Sequence, residues 1–349
     1  MGFFTGPHRR TLHSLKLRDG RKLKYLVEGP RDIEHTPVPT LRDSQLPVIV
    51  ALHGMYLSAQ SVLLDAAPAA QKQKPTDDYV VVAVNRPGYH GSSNVEVGTY
   101  SYTDFALDIE ELVNYLQIQH FAVIGHSSGG PCTLACAALL GPDRVTAYAT
   151  LGGDPEYAHY TDIEASVVLD CCVGKCLPTT LTLIGPFVCI TNVANGLRND
   201  YYVEREPYPY NMDEITQPGL VVLGEKDTLL PFAIAKRNHD RLPQATLQIM
   251  PGLGHNQLLL DDVLAMVFRS VIDLGHLRKN TEVANGETTT TTAAAAAGAV
   301  KTLQRPTPDK VVLATHILQS NIKNQNKYDI RKTMVNTSTT SFLSEECEC

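Results

Sequence analysis

The sequence predicts an α/β protein with a mostly parallel sheet, helices on both faces, an inserted cap and a disordered C-terminal tail. Short apolar runs of strand type alternate with longer helix-like segments, which is the pattern of parallel strands joined by crossover helices. About seventy residues between 151 and 220 interrupt this alternation and indicate an insertion. From about residue 279 onward, Thr and Ala homopolymer runs and polar residues offer too little apolar area to offset chain entropy.

An antiparallel pair of strands is predicted at the start of the chain, at 12–17 and 23–27. Six further strand-like runs follow, at 48–52, 80–84, 121–124, 145–151, 220–223 and 246–250. A helix is predicted over 104–116, where apolar residues recur at helical spacing. In a parallel sheet of this kind, functional residues are expected in the loops that follow the carboxyl ends of the strands.

The most informative of these loops contains a Gly-x-Ser-x-Gly pattern formed by Gly125, Ser127 and Gly129. The pattern lies directly between the strand-like run 121–124 and a helix-like segment. A strand that turns so tightly into a helix strains its central residue and leaves room only for small flanking residues. Ser127 is therefore predicted to be an exposed nucleophile. On the five-residue pattern alone, an ordinary loop at 125–130 is an equally good interpretation.

A serine nucleophile requires a base to take its proton, and the base requires an acid to orient it. Asp227 follows the strand-like run 220–223, and His255 follows the next run, 246–250. Both residues thus lie in loops at the carboxyl ends of consecutive strands. The chain order Ser127, Asp227, His255 in these contexts predicts a catalytic triad.

Two alternatives concern the acid. Asp227 could instead cap the helix that begins near Pro231, which is a common role for aspartate. Asp154 is the rival acid, because it follows the strand-like run 145–151.

These motifs resemble the α/β-hydrolase fold family, of the serine esterase and lipase-like kind, over about residues 12–274. Residues 47–55 resemble the family's strand and His-Gly segment, whose following backbone amide forms half of an oxyanion hole. Residues 79–93 resemble the next strand and its Asp-Arg-x-Gly-x-Gly-x-Ser turn. Asn85 replaces the usual Asp there, at a position that supports the loop and is not catalytic.

The resemblance implies an oxyanion hole built from the backbone N–H groups of Met55 and Ser128. Ser128 also opens the following helix, so the positive end of the helix dipole would face the developing charge. Four further residues are expected to support this geometry: His53, Gly54, Gly125 and Gly129.

The predicted activity is hydrolysis of a carboxylic ester or related acyl bond by a serine hydrolase, through an acyl-enzyme and without metal or organic cofactor. Serine at the turn disfavours dehalogenase and epoxide-hydrolase chemistry, which the family performs with a carboxylate nucleophile. Acyltransferase, thioesterase, aminopeptidase and carbon–carbon bond hydrolase activities remain open alternatives. A ligand-binding receptor or scaffold on the same fold, with slow turnover or none, is the alternative from a different class.

The resemblance implies a small-molecule acyl substrate as the partner, and the composition agrees with this. The net charge is −7 and no basic stripe is present, which argues against nucleic acid. Residues 1–10 lack the apolar core of a signal peptide, and no apolar run has membrane-spanning length, so a cytoplasmic location is expected. The sequence leaves the oligomeric state open.

The eight cysteines do not indicate a disulfide framework in a chain of this length. Cys132 and Cys136 are four residues apart on one helix and are predicted to be small core residues. Cys171, Cys172 and Cys176 lack partners at zinc spacing, so no metal site is predicted, while acylation of this cluster stays open.

The domain boundaries follow from these patterns. The core is predicted in two parts, 1–153 with the turn and 217–278 with the acid and histidine, separated by a cap at 154–216 and followed by a disordered tail at 279–349. The cap is apolar and tyrosine-rich, which favours a hydrophobic acyl or aromatic substrate. Contact of the cap with a membrane surface is the less favoured alternative.

Overall fold

The computed structural model describes residues 10–30, 41, 46–64, 78–159 and 193–284, with only the backbone for 277–284. These residues belong to the first of two compact units, Met1–Glu287; the second unit, Thr288–Cys349, lies outside the described residues. Most of the predicted cap, its three clustered cysteines and nearly all of the predicted tail also lie outside them.

One eight-stranded sheet organises the described residues, with the strand order β1-β2-β4-β3-β5-β6-β7-β8. The strands are β1 His13–Lys16, β2 Lys22–Glu28, β3 Val48–Leu52, β4 Val80–Asn85, β5 Phe121–His126, β6 Val145–Leu151, β7 Gly219–Gly224 and β8 Ala245–Met250. β1 pairs antiparallel with β2, and β2 pairs antiparallel with β4, whereas all other pairs are parallel. The predicted mostly parallel sheet with an antiparallel start is confirmed.

The central strands β3, β4 and β5 are buried throughout, and they are apolar except for Asn85 and His126 at their ends, because both faces of the sheet are covered. Alternate residues of these strands enter different apolar clusters: Val50 and Val82 pack on one face, and Ile49 and Val81 on the other. Because successive side chains of a strand point to opposite faces of the sheet, each apolar run contributes to both cores. The edge strand β8 is partly exposed.

Five α-helices occur in the described ranges: α1 Tyr102–Tyr115, α2 Gly129–Leu140, α3 Ala194–Val203, α4 Phe232–Asp240 and α5 Asp261–Ala284. Helices α1, α2 and α4 pack on one face of the sheet, and α5 packs on the other. Helix α1 begins two residues before the predicted start because Ser101 and Asp104 form a reciprocal capping box. Helix α5 continues through the domain boundary predicted at 278.

Helix α3 lies in the predicted cap range and is fastened to the loop that follows β4. The Asn195 side chain accepts a hydrogen bond from the Val95 N–H at 2.9 Å and donates one to the Val95 carbonyl at 3.0 Å. Gly196 packs so closely on Tyr89 that a Cβ atom would overlap the aromatic ring. These contacts fix α3 beside the carboxyl end of β4.

Candidate active site

The turn between β5 and α2 holds Ser127 in a strained backbone conformation. Ser127 has a φ of 52°, which lies in the left-handed region that non-glycine residues rarely adopt. A Cβ atom on Gly125 would collide with the Gly129 carbonyl, and one on Gly129 would lie 2.7 Å from the Leu52 carbonyl oxygen. The two glycines therefore permit the turn to lie against its neighbours. The Ser127 N–H donates to the Leu151 carbonyl at 3.0 Å, which ties the turn to β6.

His255 and Asp227 form a buried hydrogen-bonded pair, with 2.7 Å between Nδ1 and Oδ2. The other oxygen of Asp227 accepts the backbone N–H groups of Leu229 and Leu230 at 3.0 and 2.8 Å. A carboxylate oxygen can only accept here, so Nδ1 carries a proton and Nε2 is the nitrogen that can act as a base. Asp227 thus orients the imidazole and also supports its own loop. It is not the N-cap residue of α4, because Pro231 occupies that position.

Asp154, the rival acid, is buried near this pair but is not hydrogen-bonded to His255. Its carboxylate accepts the Tyr157 hydroxyl at 3.2 Å, and its backbone N–H lies 3.4 Å from the Ser127 carbonyl oxygen. Of the two candidate acids, the structure brings Asp227 into hydrogen-bond contact with the histidine.

The His255 ring packs beside the turn that carries Ser127. A Cβ atom on Gly152 would lie 3.1 Å from His255 Nδ1, and the preceding residue, Leu151, accepts the Ser127 N–H. Within the described ranges no hydrogen bond joins Ser127 Oγ to His255 Nε2. Such bonds are often long in unliganded enzymes and shorten in the substrate complex.

The loop after β3 contacts the predicted nucleophile, Ser127, at Gly54. A Cβ atom on Gly54 would lie 2.8 Å from Ser127 Cβ and 3.0 Å from His126 Nδ1, so only glycine fits without displacing the turn. This contact places the next residue, Met55, at the edge of the site.

His53 fixes the orientation of the peptide that carries the Met55 N–H. Its Nε2 accepts the Arg86 N–H at 3.1 Å, so Nδ1 carries the proton and donates to the Gly54 carbonyl at 2.7 Å. In a trans peptide the carbonyl and the following N–H point in opposite directions. With the Gly54 carbonyl held against His53, the Met55 N–H points away from that ring.

Ser128 is the buried N-cap residue of α2, so its N–H lies at the positive end of the helix dipole. No hydrogen bond among the described residues uses the N–H of Met55 or of Ser128. Both groups are available to a negatively charged oxygen beside Ser127.

The other two histidines near the turn are neutral. Burial, and then the Arg86 charge, lower the pKa of His53 well below its usual value. Burial and the neighbouring His255 lower the pKa of His126 to about 3. His126 donates from Nε2 to the His255 carbonyl at 3.2 Å, so it holds the backbone of the predicted base.

Sequence reasoning missed a group of buried charged residues beside the turn. Arg86 donates from both terminal nitrogens to the Asp200 carboxylate of α3 at 2.8 Å each, and the Tyr89 hydroxyl also donates to Asp200. Glu204, the C-cap residue of α3, is 2% exposed, and burial raises its pKa well above the usual range. The only signal in the sequence was the position of Arg86 within the 79–93 turn.

No cluster of three or more metal-ligating side chains occurs in the part of the chain that the structure describes. None of the helices within those ranges combines the length and the apolar character needed to cross a bilayer.

Known proteins are similar to this chain in sequence and in structure. The family model described as alpha/beta hydrolase fold matches residues 47–169, which contain β3 to β6 and the turn at Ser127. The Caulobacter sp. (strain K31) protein named "Putative carbamate hydrolase RutD" is 25% identical over 209 residues, which cover 54% of this chain and 78% of that protein. "Uncharacterized hydrolase YugF" of Bacillus subtilis (strain 168) is 24% identical over 241 residues, which cover 59% of this chain and 82% of that protein.

Among solved structures, an esterase from Exiguobacterium antarcticum has a TM-score of 0.55 at 19% identity, covering 75% of this chain and 98% of that chain. Likeness at this identity concerns the fold. The strand order of the sheet, the family model that matches residues 47–169 and the likeness to solved structures show that the chain has the α/β-hydrolase fold.

Proposed function

We propose that this chain is a serine hydrolase that cleaves a carboxylic ester or a closely related acyl bond through an acyl-enzyme. The observation that carries the proposal is the strained Ser127 turn with the His255–Asp227 pair packed beside it through Gly152. A non-glycine residue at positive φ costs free energy, so its presence at a strand end next to a base supports a catalytic role.

In the first half of the reaction, Ser127 Oγ attacks the substrate carbonyl carbon while His255 Nε2 takes the hydroxyl proton. Asp227 stabilises the imidazolium that forms. The carbonyl oxygen becomes an oxyanion, which accepts hydrogen bonds from the N–H groups of Met55 and Ser128. His255 then gives its proton to the leaving alcohol, and the acyl group remains on Ser127.

In the second half, water replaces the alcohol. His255 Nε2 removes a proton from the water, which attacks the acyl carbon, and the oxyanion forms again in the same place. Collapse of the intermediate returns the proton to Ser127 Oγ and releases the acid. Loss of one oxyanion donor typically lowers the rate about 10²- to 10³-fold. The Met55 N–H is therefore expected to contribute substantially to the rate.

The substrate is proposed to be a small molecule with a hydrophobic acyl or aromatic group. Tyr208 and Tyr210 belong to the predicted cap range and stack with 5.0 Å between ring centroids. Tyr210 donates to the Pro131 carbonyl at the start of α2, so this aromatic wall lies beside the turn. A carbamate also contains an acyl carbon that this mechanism can attack, and the name of the Caulobacter relative supports testing carbamates.

Fluorophosphonate labelling of the wild type and of Ser127→Ala tests the proposal. Labelling is expected in the wild type and not in Ser127→Ala. The matched control is Ser14→Ala, at an exposed position of β1, which should be labelled like the wild type. Turnover is then measured on p-nitrophenyl esters of increasing chain length and on a phenyl carbamate. A folded wild type that binds such compounds but neither labels nor turns over would favour the ligand-binding alternative.

A further inference from the structure

Two buried carboxyl groups flank the residue that follows the nucleophile. Asp154 lies in the loop after β6, and Glu204 ends α3; they are 8% and 2% exposed. The side chain of Ser128 is near enough to interact with the charged forms of both carboxyl groups. The pair thus lies beside Ser128, which follows Ser127 directly in the chain.

Glu204 differs from its buried neighbours because its oxygens are unsatisfied. Asp200 accepts both terminal nitrogens of Arg86 and the Tyr89 hydroxyl. Among the described residues, neither Glu204 oxygen has a hydrogen-bond partner of adequate geometry, although Ser128 is close. A buried carboxyl group without partners is costly, so this arrangement points to a ligand.

The charge balance indicates the sign of that ligand. Arg86 is held in a bidentate pair by Asp200, so its two terminal nitrogens bond to neither Asp154 nor Glu204. Burial raises the pKa of Glu204, and the neighbouring carboxylates of Asp154 and Asp200 raise it further. A bound cation would relieve this repulsion.

The surrounding side chains favour an organic ammonium group. The Tyr102 and Tyr208 rings meet edge to face at 5.4 Å, and the buried Tyr102 hydroxyl has no hydrogen-bond partner in the described part of the chain. Tyrosine rings and a carboxylate together are the chemistry that recognises an ammonium group.

We propose that Glu204 anchors a protonated amine of the substrate, so that the preferred substrates are esters carrying an ammonium group near the scissile bond. This inference rests on the proposed hydrolase function and refines its substrate class. Asp154 contributes the second negative charge, and the tyrosine rings form the walls of the amine site.

The test compares matched esters at about pH 6.5, where aliphatic amines are protonated. Benzyl 2-aminopropanoate and benzyl 3-aminopropanoate are compared with benzyl propanoate, and 2-aminoethyl propanoate with propyl propanoate. In the wild type, kcat/KM for at least one amine ester is expected to exceed that of its neutral partner at least about tenfold. Glu204→Gln is expected to abolish this preference, whereas Glu206→Gln, at an exposed position two residues away, retains it.

Hydrolysis of the neutral esters without any amine preference would overturn the amine site and leave the proposed hydrolase intact. An amine preference that survives in Glu204→Gln would also overturn it. Absence of both ester turnover and Ser127-dependent labelling would instead reject the hydrolase function itself.

A second measurement needs only the wild type, in case Glu204→Gln does not fold. n-Butylammonium and n-butanol have similar size and differ in charge, so both are tested as competitors of fluorophosphonate labelling. Butylammonium is expected to slow labelling at a concentration at least about tenfold lower than butanol. Equal potency of the two compounds would overturn the proposal.

Discussion

His53 contacts the proposed reaction only through the backbone. It receives the Arg86 N–H and donates to the Gly54 carbonyl, and these two bonds determine where the Met55 N–H points. A side chain with this role affects the transition state more than substrate binding, because an oxyanion donor acts most strongly on the developing charge.

His53→Phe is therefore expected to lower kcat by about 10²-fold with little change in KM, since it keeps the ring but removes both hydrogen bonds. Steady-state kinetics on the best p-nitrophenyl ester measure this effect, with circular dichroism to verify folding. His120→Phe, at an exposed position, is the matched control. A change confined to KM would contradict the role assigned to His53.

His126 makes folding stability depend on pH. Its pKa is about 3 in the folded protein against an ordinary value of 6.5, so the folded state holds the neutral form. The stability that this neutral ring contributes is present above the unfolded pKa and is lost as pH falls from 6.5 toward about 3.

Between about pH 6.5 and 4.5, the wild type is expected to lose about 2 kcal/mol of unfolding free energy more than His126→Phe does. Urea unfolding of both proteins at the two pH values measures this difference. Both proteins contain the same carboxyl groups, so the contribution of those groups to the pH dependence is removed by the comparison. Parallel pH dependences of the two proteins would show that His126 is protonated freely in the folded state.

At the scale of elements, local patterns were sufficient for the sheet and for the turn at Ser127. The central strands are apolar except at their last residues, and Gly125, Ser127 and Gly129 lie within one five-residue motif, so both features can be predicted from neighbouring residues. The Arg86–Asp200 pair joins residues 114 positions apart. No periodicity marks such a pair, and so the charged group beside the turn was missed.

The attachment of α3 provides a test at this scale. Gly196→Ala would place a Cβ atom in the Tyr89 ring and is expected to detach the helix from the β4 loop. Hydrogen exchange over 193–203 should then become faster, and KM for the preferred ester should rise because Glu204 moves with α3. Arg198→Ala, at an exposed position of the same helix, is the control. Unchanged exchange in Gly196→Ala would mean that other contacts are sufficient to hold α3.

At the scale of the whole molecule, the proposed catalytic geometry depends on both faces of the sheet being covered, because Ser127, Asp227 and His255 follow the ends of different strands. Helix α5 covers one face with five apolar residues that are at most 2% exposed: Val263, Leu264, Val267, Phe268 and Val271. Full burial of such side chains contributes about 1.5–3 kcal/mol each, or about 8–15 kcal/mol together. That sum is comparable with the whole net stability of an ordinary domain, about 5–15 kcal/mol.

A chain that ends at Leu260 is therefore expected to lose cooperative unfolding, whereas a chain that ends at Glu287 retains every described residue and serves as the matched control. Calorimetry measures the transition of each chain, and fluorophosphonate labelling reports on the site. We expect the longer chain to unfold cooperatively and to be labelled, and the shorter chain to do neither. Without α5, one face of β5, β6 and β7 is exposed to water, and the strand ends no longer hold Ser127, Asp227 and His255 in place. A shorter chain that still unfolds cooperatively and labels at Ser127 would show that the core on the opposite face is sufficient to position the site.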